Sequence, residues 1–387
     1  MPSTDSDSKR PKTSAKRRSL LPLLIFFITV LLVASGVLIY LVRNHLEAAA
    51  GVDSTARLSA QNGFLCEYSE AQKLYPFADG VVKVTSSRVA YLSMVGTEIF
   101  SIDIKMDNPF CVIRGEYALV ADSGGYFCML LSAKGEVYTK QMKGSISFGE
   151  LSEEGYVGLI IEQQDTKGSV YLMDNTGNFL AQWNSVESGY PVAVSFSPDM
   201  TFVDIALVDT DGSSIQPRLK QIELPTEDLD KKPKDRALYT PGVVTILSSI
   251  AYIGSDKTVL SGISDLLCFS GDEVAVISSF GQIFSVFSAG DGVAVIYSDG
   301  IGQEVKMEYI NSDFSRGSSI VVGNIFIDAK SREGKVAIAV DDKILMVDAA
   351  SLKTEKSIIV DQEVIKIGFN DEGIVVVTVD SVREITF

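Results

Sequence analysis

Histidine is nearly missing from this 387-residue chain: His45 is the single one, and none follows it. Ser/His/Asp and Cys/His catalysis both need a positioned imidazole, so neither is available downstream of residue 45. The four cysteines (Cys66, Cys111, Cys128, Cys268) show no CxxC spacing. Without histidine partners they lack the ligand set of a structural zinc site. Outside the cytoplasm Cys111 and Cys128 are the pair to weigh for a disulfide, because they flank one expected strand pair. The competing reading makes them small apolar core residues. Phosphate-binding glycine loops are also missing, since Gly334-Lys335 is followed by Val336 and has no upstream glycine at the required spacing.

Basic residues are scarce as well, with 34 Lys and Arg against 50 Asp and Glu for a formal charge of -16. Their distribution is uneven. Before residue 43 stand Lys9, Arg10, Lys12, Lys16, Arg17 and Arg18 against Asp5 and Asp7, a net of +4 that leaves -20 for the remainder. An acidic body of that size repels phosphate backbones, which argues against a nucleic-acid partner.

After the basic tail comes an uncharged run, LLPLLIFFITVLLVASGVLIYLV, from Leu20 to Val42. At about 1.5 Å rise per residue such a run spans a hydrocarbon core of ~30 Å as a helix, with the lipid bilayer as its partner. Pro22 falls in the first turn, where its missing N–H costs little, and Tyr40 lies near the outer boundary. The positive-inside rule puts residues 1–19 in the cytoplasm and the acidic body across the membrane. A cleaved signal peptide competes through Ala48-Ala49-Ala50, but the apolar run exceeds an ordinary h-region and favours an uncleaved signal-anchor.

Residues 43–76 read as a stalk, and from 77 to 387 the pattern becomes short alternating apolar runs broken by Gly, Asp, Asn or Ser, the mark of antiparallel strands. Three hairpins align: LSMVGTEI from Leu92, LSAKGEVY from Leu131 and MDNTGNFL from Met173. Each has a turn-entry side chain (Ser93, Ser132, Asp174) and a glycine three residues on (Gly96, Gly135, Gly177), a pairing that caps a turn and supplies its positive φ. The entry residues are 39 and 42 positions apart, the length of one four-stranded propeller blade. A fourth copy, MVDAASLK from Met346, keeps Asp348 but has Ser351 for the glycine, and a second marker recurs as ELSEEG, FSPDM and FNDEG. The expectation is an all-β fold, a seven- or eight-bladed β-propeller preceded by one transmembrane helix. The charged, proline-punctuated stretch 225–241 blurs the register between seven and eight.

Segments GTEIFSIDIKMDNP, GEYALVADSGG, KGEVYT and DNTGNFLAQW resemble those of an uncharacterised bacterial family: single-span membrane proteins with a WD40-like or quinoprotein-like propeller of unknown function. The resemblance implies fold and placement and carries no catalytic residue. In DNTGNFLAQW the tryptophan, Trp183, comes one position later than in the quinoprotein signature and does not recur, so no quinone cofactor is expected. Asp209-Thr210-Asp211-Gly212 resembles the opening of a calcium loop, but Ser213 stands where the next acid belongs, which favours a hairpin turn and no metal.

With no catalytic motif, the chain reads as a tethered, extracytoplasmic binding or scaffolding module for an envelope protein or wall component, and not as an enzyme. The alternative is a carboxylate-based glycan hydrolase or lyase, which needs two acids from different blades facing each other. Glu153-Glu154, Asp341-Asp342 and Asp371-Glu372 fall instead in expected turns.

Overall fold

The computed structural model describes residues 63–225, 233–243, 245–271, 273–277 and 280–386. These form eight four-stranded antiparallel sheets, each a consecutive meander except the last. Numbered along the chain, the blades cover residues 74–103, 109–141, 145–185, 190–239, 247–277, 282–323, 326–359 and 364–386. The architecture is therefore an eight-bladed propeller, which decides between the two blade numbers the sequence left open. The helical span expected from Leu20 to Val42 lies outside the described residues. Among those described, no helix is long and apolar enough to cross a membrane.

Blade 8 explains part of the ambiguity. Its three C-terminal strands, Val364–Phe369, Gly373–Thr378 and Ser381–Thr386, are completed by Gly63–Leu65, which pairs antiparallel with the last of them (Gly63 with Arg383, Leu65 with Ser381). The ring is thus closed by joining its two chain ends. Phe64 packs into the apolar cluster of Ala71, Leu74, Val81, Val375, Val377 and Val382 at the seam between blades 8 and 1. A single helical turn, α1 (Tyr68–Ala71), leads into blade 1. Residues 63–76, expected in the stalk, consequently belong to the propeller. Pro76 lies within the first strand of blade 1, Leu74–Phe77, at the edge facing blade 8, and not at a domain boundary.

The first strand of each blade is innermost. Apolar clusters fill each space between neighbouring blades, for example Val170, Trp183, Val203 and Ile205 between blades 3 and 4. Burial on both faces is why the middle strands read as continuous apolar runs such as Val157–Glu162 and Gly373–Thr378. Six inner strands carry a bulge at a corresponding place, leaving Ser147, Val192, Ser248, Phe284, Ile327 and Ile365 without a partner in the register. A bulge bends a strand and increases its twist, which suits strands that converge on an axis.

Contacts near the axis stitch the inner strands together. The Asp328 carboxylate on blade 7 accepts the Ile367 N–H of blade 8 at 3.0 Å, and the Arg332 guanidinium donates to the Asn370 carbonyl at 2.6 Å. Lys366 of blade 8 donates to the Leu74 carbonyl at 3.3 Å and lies 3.9 Å from the Tyr75 ring centroid on blade 1. Phe284 and Phe326 stack at 4.9 Å between blades 6 and 7. Gly368 is pressed so close to blade 1 that a Cβ there would lie 2.4 Å from Cβ of Pro76. Gly368→Ala is expected to destabilise the domain by roughly 1–3 kcal/mol, read as a lower urea midpoint at unchanged slope.

Cys111 and Cys128 do not form the disulfide weighed for them: all four cysteines are free. Cys111 lies on the first strand of blade 2 and Cys128 on the third, with Tyr117–Asp122 between them. Two strand spacings, about 9–10 Å, exceed the reach of a disulfide. Burial pushes the thiols of Cys111, Cys128 and Cys268 up to about 12. Ellman titration of the native protein should therefore label Cys66 alone, with the other three reacting only after denaturation.

Candidate functional site

The repeat residues sit in turns between the third and fourth strands of blades 1 to 3. The Ser93 hydroxyl accepts the Thr97 N–H at 3.2 Å, and Gly96 (φ 78°) donates its N–H to the Ser93 carbonyl. The Asp174 carboxylate accepts the N–H groups of Thr176 and Asn178, both at 2.8 Å, with Gly177 at φ 84°. Burial works to raise the Asp174 carboxyl, but hydrogen bonds from the Thr176 hydroxyl and the Asn178 side-chain amide, together with these two N–H groups, hold it below the usual carboxylate range. Ser132 accepts the Lys134 N–H at 3.3 Å, and Gly135 opens the following strand. In the fourth copy Asp348 caps Ser351, and the positive φ passes to Leu352 (55°). These residues build turns and converge on no common pocket. Leu20 and Val42 lie outside the described residues.

Each meander puts its first-to-second and third-to-fourth turns on one face of the ring, and its second-to-third turns and blade-to-blade links on the other. The first-to-second turns encircle the axis on the first face. Every one of the eight carries a carboxylate: Asp79, Glu116, Glu153 and Glu154, Asp199, Asp256, Asp291, Glu333, then Asp371 and Glu372. None carries Lys or Arg, so this mouth of the ring is negative. The paired acids Glu153-Glu154 and Asp371-Glu372 belong to this set, whereas Asp341-Asp342 lies in a second-to-third turn of blade 7. Asp341 there caps the N–H groups of Asn324 and Ile325.

The second face differs. Its connections expose Tyr126, Val186, Ile215, Ile246, Ile263, Ile301 and Ile325, whereas among the described loops of the first face only Val95 is an exposed large apolar residue. The isoleucines among them stand on or beside blades 4 to 6. Nothing in their local sequence distinguishes these isoleucines from core residues, so sequence reasoning missed them.

Two acids near the axis stand on different blades, as a glycan-cleaving pair requires. Glu150 on blade 3 lies 3.5 Å from the Arg114 guanidinium, which also lies 3.9 Å from Glu153. Desolvation nonetheless raises the Glu150 carboxyl above its ordinary value. Asp328 on blade 7 is bonded to Lys330 at 3.1 Å and to backbone amides. Each acid is thus committed to a local structural partner. Asp209 and Asp211 are likewise paired, with Arg218 and Lys167 at 2.5 Å each. Among the described residues no group of acids, cysteines or histidines is arranged to hold a metal ion.

A buried polar row joins blades 4 and 5. Ser195, Asp204 and Gln221 are neighbours across three strands of blade 4. Asp204, with no exposed surface, accepts the Thr258 hydroxyl of blade 5 at 2.6 Å, and Thr258 pairs across the strands with Tyr252. Burial pushes the Asp204 carboxyl up to about 7, with the Thr258 hydrogen bond foremost among the influences opposing it. A separate cavity of about 460 Å³ lies against the seam, lined in part by Phe64, Leu65, Cys66 and Leu74. The ion pairs Lys83–Glu70 and Arg88–Glu98, 2.5 and 2.7 Å, stand in its walls.

Comparison with known proteins places the sequence in a family. Residues 56–387 match DUF5711, described as a family of unknown function, and the chain belongs to it. No curated protein matches the sequence. Among solved structures, BamB from Moraxella catarrhalis is similar with a TM-score of 0.54 at 11% identity, over 85% of this chain and 100% of that one. Apo AztD from Citrobacter koseri gives 0.52 at 14% identity, over 75% and 86%. Sqt1 from Saccharomyces cerevisiae gives 0.57 at 8% identity, over 87% and 100%. At such identities the likeness is one of fold.

Proposed function

We propose that this member of the DUF5711 family is a membrane-tethered binding module, its propeller carried outside the cytoplasm on the anchor of residues 20–42 and engaging an envelope protein or wall component. The observation that carries the binding role is the unequal exposure of apolar side chains, with isoleucines gathered on one face of blades 4 to 6 and almost none in the loops of the other. Isolated exposed apolar residues are ordinary, but a one-sided group on a rigid ring is the form an interaction surface takes. The bulged inner strands and filled interblade spaces favour a platform that holds its shape on binding.

The tether rests on the uncharged run and the basic residues before it. Alkaline phosphatase fused after residue 387 tests placement: activity in intact cells is expected, and cytoplasmic retention would sink the topology. Reciprocal co-purification after in-cell crosslinking tests the binding role. Repeated recovery of the chain alone would count against it.

A further inference from the structure

The seam between blades 4 and 5 encloses a carboxyl group unlike the others in the ring, and we propose that Asp204 makes this seam a proton-operated latch, closed while the carboxyl is neutral and loosened when it ionises. The latch is independent of what the propeller binds. Asp204 lies on the second strand of blade 4, Phe202–Asp209, and Thr258 on the second strand of blade 5, Lys257–Gly262. The bond between them therefore crosses the seam and breaks when the blades part.

The other buried carboxylates among the described residues are met by cations or amide donors. Asp122 accepts the N–H groups of Asp107 and Asn108 at 3.1 and 2.8 Å, and Asp209 meets Arg218 at 2.5 Å. Arg316 donates to both oxygens of Glu308 at 2.6 Å, and Glu384 accepts the Asn370 side-chain amide. Asp204 has a neutral donor instead, the Thr258 hydroxyl at 2.6 Å on Oδ2. Its Oδ1 is buried with no hydrogen-bond partner, as is the hydroxyl of Tyr252, which pairs across the strands with Thr258. Burying an ionised carboxylate on one hydroxyl bond is costly, whereas the neutral acid keeps that bond and carries its proton on the free oxygen.

No neighbouring charge compensates for ionisation. On the outer strand of blade 4, Arg236 stacks on the Phe202 ring at 4.4 Å, and its pull favours the carboxylate less than the Thr258 bond does. Glu223, on the same strand as Gln221, is paired with Lys234 at 2.5 Å. From blade 5, Lys257 is turned to the next blade, where it donates to the Ser312 carbonyl at 2.6 Å. Tyr252 is the titratable group facing Asp204 from that side, and burial pushes its hydroxyl well above the ordinary value. The rest of the seam is apolar, with Ala193, Ala206 and Leu219 against Leu247, Leu260 and Leu267. Water reaches the carboxylate only if the blades part, and that exposure is what ionisation rewards.

The carboxyl stands at about 7 in the closed seam and near 4 in water, so opening becomes about tenfold easier per pH unit between those values and levels off above the higher one. Closure is firmest in acid and weakest above neutrality. The test uses the full-length protein in detergent with a cysteine placed in the seam, Ala206→Cys, and a control between blades 7 and 8, Ala337→Cys. Labelling by N-ethylmaleimide is followed peptide by peptide by mass spectrometry. Each rate is divided by that of the same peptide in the urea-unfolded protein, which removes the pH dependence of the thiolate itself. From pH 6 to pH 8 the corrected rate at position 206 is expected to rise about tenfold while that at 337 stays constant, and Asp204→Asn should abolish the rise. Leu260→Cys, facing the seam from blade 5, reports the same opening with Ala206 intact. A flat rate at both seam positions overturns the latch. An equal rise at 337 means that the whole domain unfolds and overturns it too, as does a rise that survives Asp204→Asn.

Discussion

A chain truncated just after Leu65 should be less stable than one truncated just before Gly63 by on the order of 3–5 kcal/mol, although the two differ by three residues. Those residues supply the fourth strand of blade 8 and bring Phe64 into the cluster of Leu74, Val81 and Val382. Without them the Ser381–Thr386 strand has an open outer edge, and the cluster at the seam between blades 8 and 1 loses the Phe64 ring. Urea unfolding of the two truncations measures the difference directly. Coincident midpoints would show that the ring does not depend on the N-terminal strand, and Phe64→Ala in the longer form separates the ring contact from the backbone pairing, with about 2–4 kcal/mol expected.

Replacing Asp204 by Asn should stabilise the protein above neutral pH by on the order of 2–4 kcal/mol and change little near pH 4. The sign follows from its carboxyl, pushed up to about 7 in the folded state by burial, against an ordinary value near 4 in the unfolded chain. Between those values the folded state binds the proton more tightly. The contribution of Asp204 is therefore most favourable below the unfolded value, declines as pH rises toward 7, and is constant above it. Asn keeps the shape and an oxygen for the Thr258 hydroxyl without the charge. Melting temperatures of wild type and variant should diverge as pH rises from 4 to 7.5. Parallel curves would mean that Asp204 is ionised throughout, held by the Thr258 bond.

The blade plan was legible where a turn needs a chemical signature. Ser93 with Gly96, Ser132 with Gly135 and Asp174 with Gly177 solve the same backbone problem with the same side chains, and their spacing made one blade per repeat readable. The count was obscured where other residues do the same work. Blade 6 builds its corresponding turn from Asn311, Asp313 and Ser315, and blade 7 lets Leu352 take the left-handed conformation. Gly63–Leu65 was invisible as a strand because three residues carry no alternation, and its partner lies at the other end of the chain. Pro76 looked like a boundary, yet a strand edge needs no amide proton there. The Asp204 row and the exposed isoleucines depend on which blades become neighbours, and TFVDIALV or a lone Ile in a turn says nothing of that.

Closing the ring with its two ends also fixes the order in which the protein can be finished. Gly63–Leu65 is made among the first parts of the propeller, but its place appears only when Ser381–Arg383 has been synthesised. Blades 1 to 7 can form in sequence as the chain emerges, while the earliest strand waits without a partner for the latest. The pairing of Gly63–Leu65 with Ser381–Arg383 is a contact of near-maximal sequence separation, costly in loop-closure entropy, and until it forms blade 8 offers a vacant edge to any neighbouring chain. A nascent protein halted before residue 381 lacks the strand on which Gly63–Leu65 closes the ring.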